Sequence, residues 1–221
     1  MRAVAGAFED GVVAHNSGDY ATALRLWRPL AEQGDAMAQS NLGDMYRAGQ
    51  GVPQDHAEAV KWFHLAAKQG FAAPQNNLGV MYDKGQGVPQ DPAEAVKWYR
   101  LAAEQGQVEA QHNLGTIYYN GQGVSQDHAE AVKWFHLAAK QGFAGAQYNL
   151  GLMYGNGEGV PQDYVRAYMW FNLATSRLPP GEDHDMAVNN RNAAADLMTP
   201  AQIAEAQKLA RQWKPRDDRA D

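Results

Sequence analysis

The chain has 221 residues, 19 basic against 25 acidic, for a formal charge of −6 and a pI near 5.6. That balance argues against a nucleic acid or an anionic membrane surface as partner, which would need a basic face, and no stretch reaches the roughly 18 apolar residues of a membrane span. Cysteine is absent, which excludes disulfides, thiolate metal sites and cysteine nucleophiles.

The first residues, MRAVAGAFEDG, hold one Arg but no apolar run before Glu9–Asp10, so they do not read as a signal peptide. The expected compartment is the cytoplasm if Met1 is the native start, and the periplasm or exterior if a leader has been removed. Ala23, Leu26, Trp27, Leu30, Ala31 and Gly34 fall 36 residues before Ala59, Trp62, Phe63, Ala66, Ala67 and Gly70, and Pro29 inside the helix they mark predicts a kink.

From Asp35 onward a 36-residue period takes over. Leu42, Leu78, Leu114 and Leu150 keep that step, as do Gly43, Gly79, Gly115 and Gly151, then Tyr46, Tyr82, Tyr118 and Tyr154, and Trp62, Trp98, Trp134 and Trp170. Each copy reads as two helices. Ala38, Leu42, Met45 and Tyr46 mark the first, which stops at Gly49, with Gly51 two residues on. The loop phrase is GQGVPQD, GQGVPQD, GQGVSQD and then GNGEGVPQD at 155–163, where the glycines read as breakers. Asp55 and Glu58 open the second helix in the spacing of a reciprocal capping box, repeated by Asp91/Glu94 and Asp127/Glu130, with Pro92 at a first helical position. Its apolar face is Ala59, Trp62, Phe63, Ala66 and Ala67, and Gly70, Gly106 and Gly142 end it. Pro74 falls early in its helix, where proline is tolerated. Gln54–Ala72 recurs unchanged as Gln126–Ala144, the mark of a duplicated two-repeat block.

The leading hairpin matches in register, but Gly11 precedes Ala23 by 12 residues where Gly43 precedes Ala59 by 16, so its loop is four residues shorter. Past the fourth copy Arg166 replaces the capping Glu and TSRLPPG replaces the regular ending. Two helices are expected at about 184–198 and 200–213. The second starts with Thr199 as cap, Pro200 and Gln202, and carries Ile203, Ala206, Leu209, Ala210 and Trp213 on one side.

The pattern A-x-x-NLG-x-MY-x-x-G-x-GV-x-QD-x-x-x-A-x-x-W-x-x-x-AA-x-QG resembles the Sel1-like repeat, a branch of the tetratricopeptide superfamily with a longer loop between its helices. The match is strict over about 35–177, and MTPAQIAEAQKLARQWKP is similar to the ending of bacterial members. The resemblance implies an all-α, right-handed superhelical solenoid of antiparallel helix pairs that serves as a scaffold or adaptor for other proteins. The organisation expected is a short tetratricopeptide-like hairpin at 1–34, repeats at 35–70, 71–106, 107–142 and 143–177, capping helices at 178–214 and a frayed tail at 215–221, all one solenoid domain. Cysteine-rich relatives with β-lactam binding depend on disulfides that this chain cannot form.

No catalytic, metal or cofactor site is expected. His56/His64 and His128/His136 stand eight apart, about 80° around a helix, which suits ligation poorly, and they read as solvated surface groups. Asp55/Glu58 is a structural pair, since it occurs three times, and no G-x-S-x-G, HExxH, P-loop or dinucleotide fingerprint occurs. Asn41, Asn77, Asn113 and Asn149 read as hydrogen bonds between repeats, and the Trp and Tyr stripes as core.

The repeat separates residues used for folding from residues free to vary. By resemblance to tetratricopeptide arrays, the concave groove is lined by Met37, Ser40, Asp44 and Arg47; then Ala73, Asn76, Val80, Asp83 and Lys84; then Glu109, His112, Thr116, Tyr119 and Asn120; and finally Tyr148, Leu152 and Asn156. A peptide or protein segment is the expected ligand there, with no nucleic acid and no membrane insertion. Two rival expectations are a cell-envelope ligand binder or hydrolase acting on β-lactams or muropeptides, and a self-assembling array joined through Trp213 or the Val4–Phe8 edge.

Overall fold

A computed structural model describes residues 2–215, with side chains described from residue 6 onward. Its described residues form twelve helices and no strand: α1 Arg2–Asn16, α2 Tyr20–Glu32, α3 Ala36–Ala48, α4 His56–Lys68, α5 Ala72–Lys84, α6 Pro92–Glu104, α7 Val108–Asn120, α8 His128–Lys140, α9 Ala144–Asn156, α10 Tyr164–Thr175, α11 Glu182–Asp196 and α12 Pro200–Gln212. The chain divides into two compact units, Met1–Gln107 with α1–α6 and Val108–Asp221 with α7–α12. Within each, a helix packs on its neighbours in the chain, so the contacts follow the repeat.

The hairpins close by local chemistry. Gly49 ends α3 at φ 69°, where a side chain would be strained, and Gly51 repeats that φ. Three residues later Gln54 donates its side-chain amide to the Arg47 carbonyl at 2.8 Å, and Gln90, Gln126 and Gln162 do the same in their own loops. The Asp55 backbone N–H then bonds to the Tyr46 carbonyl at 2.9 Å, while its carboxylate accepts from the Glu58 N–H at 2.9 Å. This corrects one expectation. The capping box at Asp55 is half formed, because the N–H that Glu58 would accept is already used by Tyr46. Glu58 pairs with Lys61 at 2.8 Å instead, and Glu94–Lys97 and Glu130–Lys133 follow it. The complete box forms at Thr199 and Gln202, as the spacing predicts.

Each hairpin is welded at one point. A Cβ on Gly43 would lie 2.5 Å from the Phe63 ring, and Gly79, Gly115 and Gly151 meet Tyr99, Phe135 and Phe171 at 2.5–2.7 Å in the same way. The glycine is there so that a ring can lie on helix backbone. Ala59, Phe63, Ala66 and Ala67 are buried as the pattern predicts, together with Val60. The tryptophan stripe is less interior than expected. Trp27 and Trp170 are buried, but Trp62, Trp98 and Trp134 are half-buried.

Helix α2 is continuous through Pro29 to Glu32, and the proline leaves the Arg25 carbonyl without its intrahelical N–H. The short loop of the leading hairpin is residues 17–19, against 49–55 in the next. At the other end α11 and α12 both pack on α10. Trp213 ends against Trp170 at 6.3 Å between ring centroids, under the Arg177 guanidinium at 4.7 Å. The Val4 side chain and the tail beyond Pro215 lie outside the described residues, while Lys214 and Pro215 are exposed and non-helical.

Candidate functional site

Between repeats, a recurring set of hydrogen bonds is carried by glutamines, which the sequence reading did not single out. In the first unit buried Gln39 donates to the Ala31 carbonyl at 3.0 Å, and its own oxygen accepts from Gln69 at 2.9 Å. Gln75 and Gln105 repeat the rung, with bonds of 3.2 Å to Ala67 and 2.7 Å between the two side chains. In the second unit Gln141 donates to Gln111 at 2.9 Å. Gln147 donates to Ala139, but Arg177 occupies the place of its partner and the buried Gln147 oxygen accepts nothing. These glutamines recur every 36 residues, so their periodicity alone was a sufficient signal. Of the asparagines, Asn149 bonds across a repeat boundary, its Nδ2 lying 3.2 Å from His112 Nε2.

The histidines are also placed differently from expectation. His64 lies 3.1 Å from the Tyr82 hydroxyl and edge-on to Trp98, both from the following hairpin. His136 is held in the same way by Tyr154 and Trp170. Burial pushes the His136 imidazole down to about 4, with Lys140 and Arg166 adding to the effect, and His64 is lowered for the same first reason. Neither is a solvated surface group. Among the described residues no three His, Asp or Glu side chains converge as a metal site.

The predicted groove residues separate into several groups. Asn76 is 8% exposed and therefore belongs to the interior, not to a binding wall. His112 is wedged between Phe135 and Phe143 at 5.7 and 4.9 Å, and burial lowers its pKa. Asp44 and Arg47 form an ion pair at 2.8 Å on the rim of a cavity of about 400 Å³ in the first unit, with His15, Trp27, Asn41 and Gln50. Ser40, Val80 and Asp83 are half-buried; Met37, Ala73 and Lys84 are exposed.

In the second unit Thr116, Tyr119, Asn120 and Leu152 meet around a small cavity of about 110 Å³ with Phe135, Asn149 and Met153. Tyr119 donates to Glu158 at 3.0 Å and stacks on His128. Leu152 also lines a second cavity, of about 420 Å³, with Gly151, Gly155, Asn156, Gln162, Tyr164, Phe171, Asn190, Ala193, Ala194 and Leu197. Tyr148 accepts from Asn190 Nδ2 at 2.9 Å, which ties α9 to α11. Gly155 and Asn156, read above as part of a loop phrase, are the last residues of α9; the loop begins at Gly157.

Serial helix pairs with a repeating inter-repeat hydrogen-bond set define an all-α solenoid repeat protein. The Sel1 repeat family model matches residues 4–35, 36–71, 75–107, 108–143 and 144–177, and the chain belongs to this family. The leading hairpin, short loop included, is thus the first of five matched copies. A protective antigen of uropathogenic Escherichia coli strains, displaying an SLR fold, superposes with a TM-score of 0.86 at 33% identity, over 95% of this chain and 45% of that one. The chain therefore spans less than half the length of that neighbour. A Sel1 repeat protein from Oxalobacter formigenes gives 0.74 at 29% identity, over 89% and 88% of the two chains. A Sel1 repeat protein described for Klebsiella pneumoniae, at 24% identity and a TM-score of 0.53, shares the fold. The chain matches no functionally curated protein. Sel1 repeat proteins are in general scaffolds for protein–protein contact and typically non-enzymatic.

Proposed function

We propose that the chain is a non-enzymatic scaffold that holds a peptide or protein segment against the first helices of its repeats, within the grooves of each unit. One observation carries this reading. Positions fixed by the repeat, such as Leu42, Gly43 and Gln39, are buried, whereas positions that differ from copy to copy line the cavities beside the fixed Asn41 and Asn149: Asp44 and Arg47 in one unit, Thr116, Tyr119, Asn120 and Leu152 in the other. A fold that spends its invariant residues on itself leaves the variable ones to select a partner. The −6 charge and the absence, among the described residues, of a helix long and apolar enough to cross a membrane also favour a protein partner.

Affinity capture with mass spectrometry tests the proposal. Thr116→Lys with Asn120→Lys alters the first-helix face and leaves the ladder intact. Leu65→Ser with Leu101→Ser alters exposed positions on the second helices. The first pair is expected to lose the captured partner at unchanged melting temperature, and the second pair to retain it. The opposite pattern moves the binding site to the second helices.

A further inference from the structure

The register of the repeat gives Gly155 an unusual status. It occupies the slot of Arg47, Asp83 and Tyr119, all of which carry long or polar side chains at the end of the first helix. Folding does not ask for glycine there. Residue 155 lies inside α9 without a positive φ, and an added Cβ would meet only Ala167 Cβ at 3.8 Å, an ordinary contact. The other helical glycines of the second unit are crowded: Gly115 and Gly151 by aromatic rings at 2.7 and 2.5 Å, Gly145 by Phe143 at 3.1 Å. A glycine inside a helix weakens it relative to alanine, so an uncrowded one demands another explanation. The opened space supplies it, because Gly155 lines the cavity of about 420 Å³ between α9, α10 and α11.

The lining of that cavity states what it accepts. Leu152 and Leu197 supply apolar surface, and Leu197 is 62% exposed. No carboxylate, ammonium, guanidinium or imidazole lines the cavity. Its polar groups include three carboxamides, each of which uses one of its two N–H donors within the fold: Gln162 to the Gly155 carbonyl, Asn190 to the Tyr148 hydroxyl and Asn156 to Glu158. Each keeps its oxygen as an acceptor and its second N–H as a donor, which suits a ligand that presents both N–H and C=O groups. A peptide backbone in extended form offers one donor and one acceptor per residue.

We propose that this cavity is the anchor site of the scaffold, taking one bulky uncharged side chain, leucine or phenylalanine in type, from an extended partner segment. That side chain lies on the α9 backbone at Gly155, and the flanking backbone N–H groups bond to the oxygens of Gln162, Asn190 and Asn156. The inference rests on the peptide-binding reading above and adds the place and the residue type.

The test uses the ¹⁵N-labelled full chain and capped peptides Ser-Gly-X-Gly-Ser with X as Leu, Phe, Lys or Asp. The Leu and Phe peptides are expected to shift the amide signals of Gly155 and Leu197, at least tenfold more tightly than the Lys and Asp peptides. Gly155→Leu is expected to weaken that binding at least tenfold, and Ala193→Leu, on the exposed α11 wall, provides the same test should the first variant unfold. Equal binding of charged peptides, shifts confined to Thr116–Asn120, or unchanged affinity in both variants overturns the anchor site while leaving peptide binding intact. No shift with any peptide overturns both.

Discussion

At Ala66 the side chain is a single methyl with no exposed surface, on the face of α4 that also buries Ala59 and Phe63. Ala66→Leu therefore inserts three carbons into a filled interface and is expected to cost roughly 1–3 kcal/mol, read as a lower urea midpoint at unchanged slope. His136 makes a different prediction. Its folded pKa of about 4 lies below the ordinary 6.5 because burial, then Lys140 and Arg166, oppose the charge. Between those values the unfolded chain binds more protons than the folded one, so stability falls as pH drops from about 6.5 toward 4 and levels off below. The loss is on the order of 1–3 kcal/mol, and the fall of the thermal midpoint across that range should be shallower in His136→Gln, with His64 and His112 keeping the remainder. The capping aspartates were legible because Asp55 and its bonded N–H lie three residues apart. The surroundings of His136 were not, because the rings that cover it, Tyr154 and Trp170, belong to the next hairpin and not to its own helix.

Single helices show the same division between local and distant causes. Helix ends at Gly49, Asp55 and Thr199 were readable, since each depends on its own turn. Gly155 was not, because its loop-like phrase GNGEG conceals two residues of helix. The glycines of α9 now separate by experiment. Gly151→Ala places a methyl against the Phe171 ring and is expected to destabilise by about 1–3 kcal/mol. Gly155→Ala meets no obstacle and removes a flexible residue from a helix, so it is expected to stabilise by about 0.5–1 kcal/mol. For a chain of this size that is about 1–4 °C in Tm, measurable by calorimetry. A drop in Tm would show that Gly155 serves the fold after all.

Over the whole chain, the 36-residue period made the all-α repeat architecture plain, because every copy restates the same core, cap and loop. The candidate site was legible only as a set of variable positions. The period identifies what the fold does not need, but not which of the remaining residues meet around a cavity. Asn76 was variable yet buried, and Leu197, Asn190 and Gln162 join the larger cavity from outside the first-helix stripe.

The glutamine ladder also bears on how such a gene changes length. Gln69 and Gln141, with Asp55 and Asp127 and with His64 and His136, fall inside the two identical segments Gln54–Ala72 and Gln126–Ala144. Misaligned recombination between the two coding stretches adds or removes 72 codons in frame, and every rung donor, cap and histidine clasp stays in step. The array can therefore grow or shrink in one genetic event without passing through a product whose repeats are out of register.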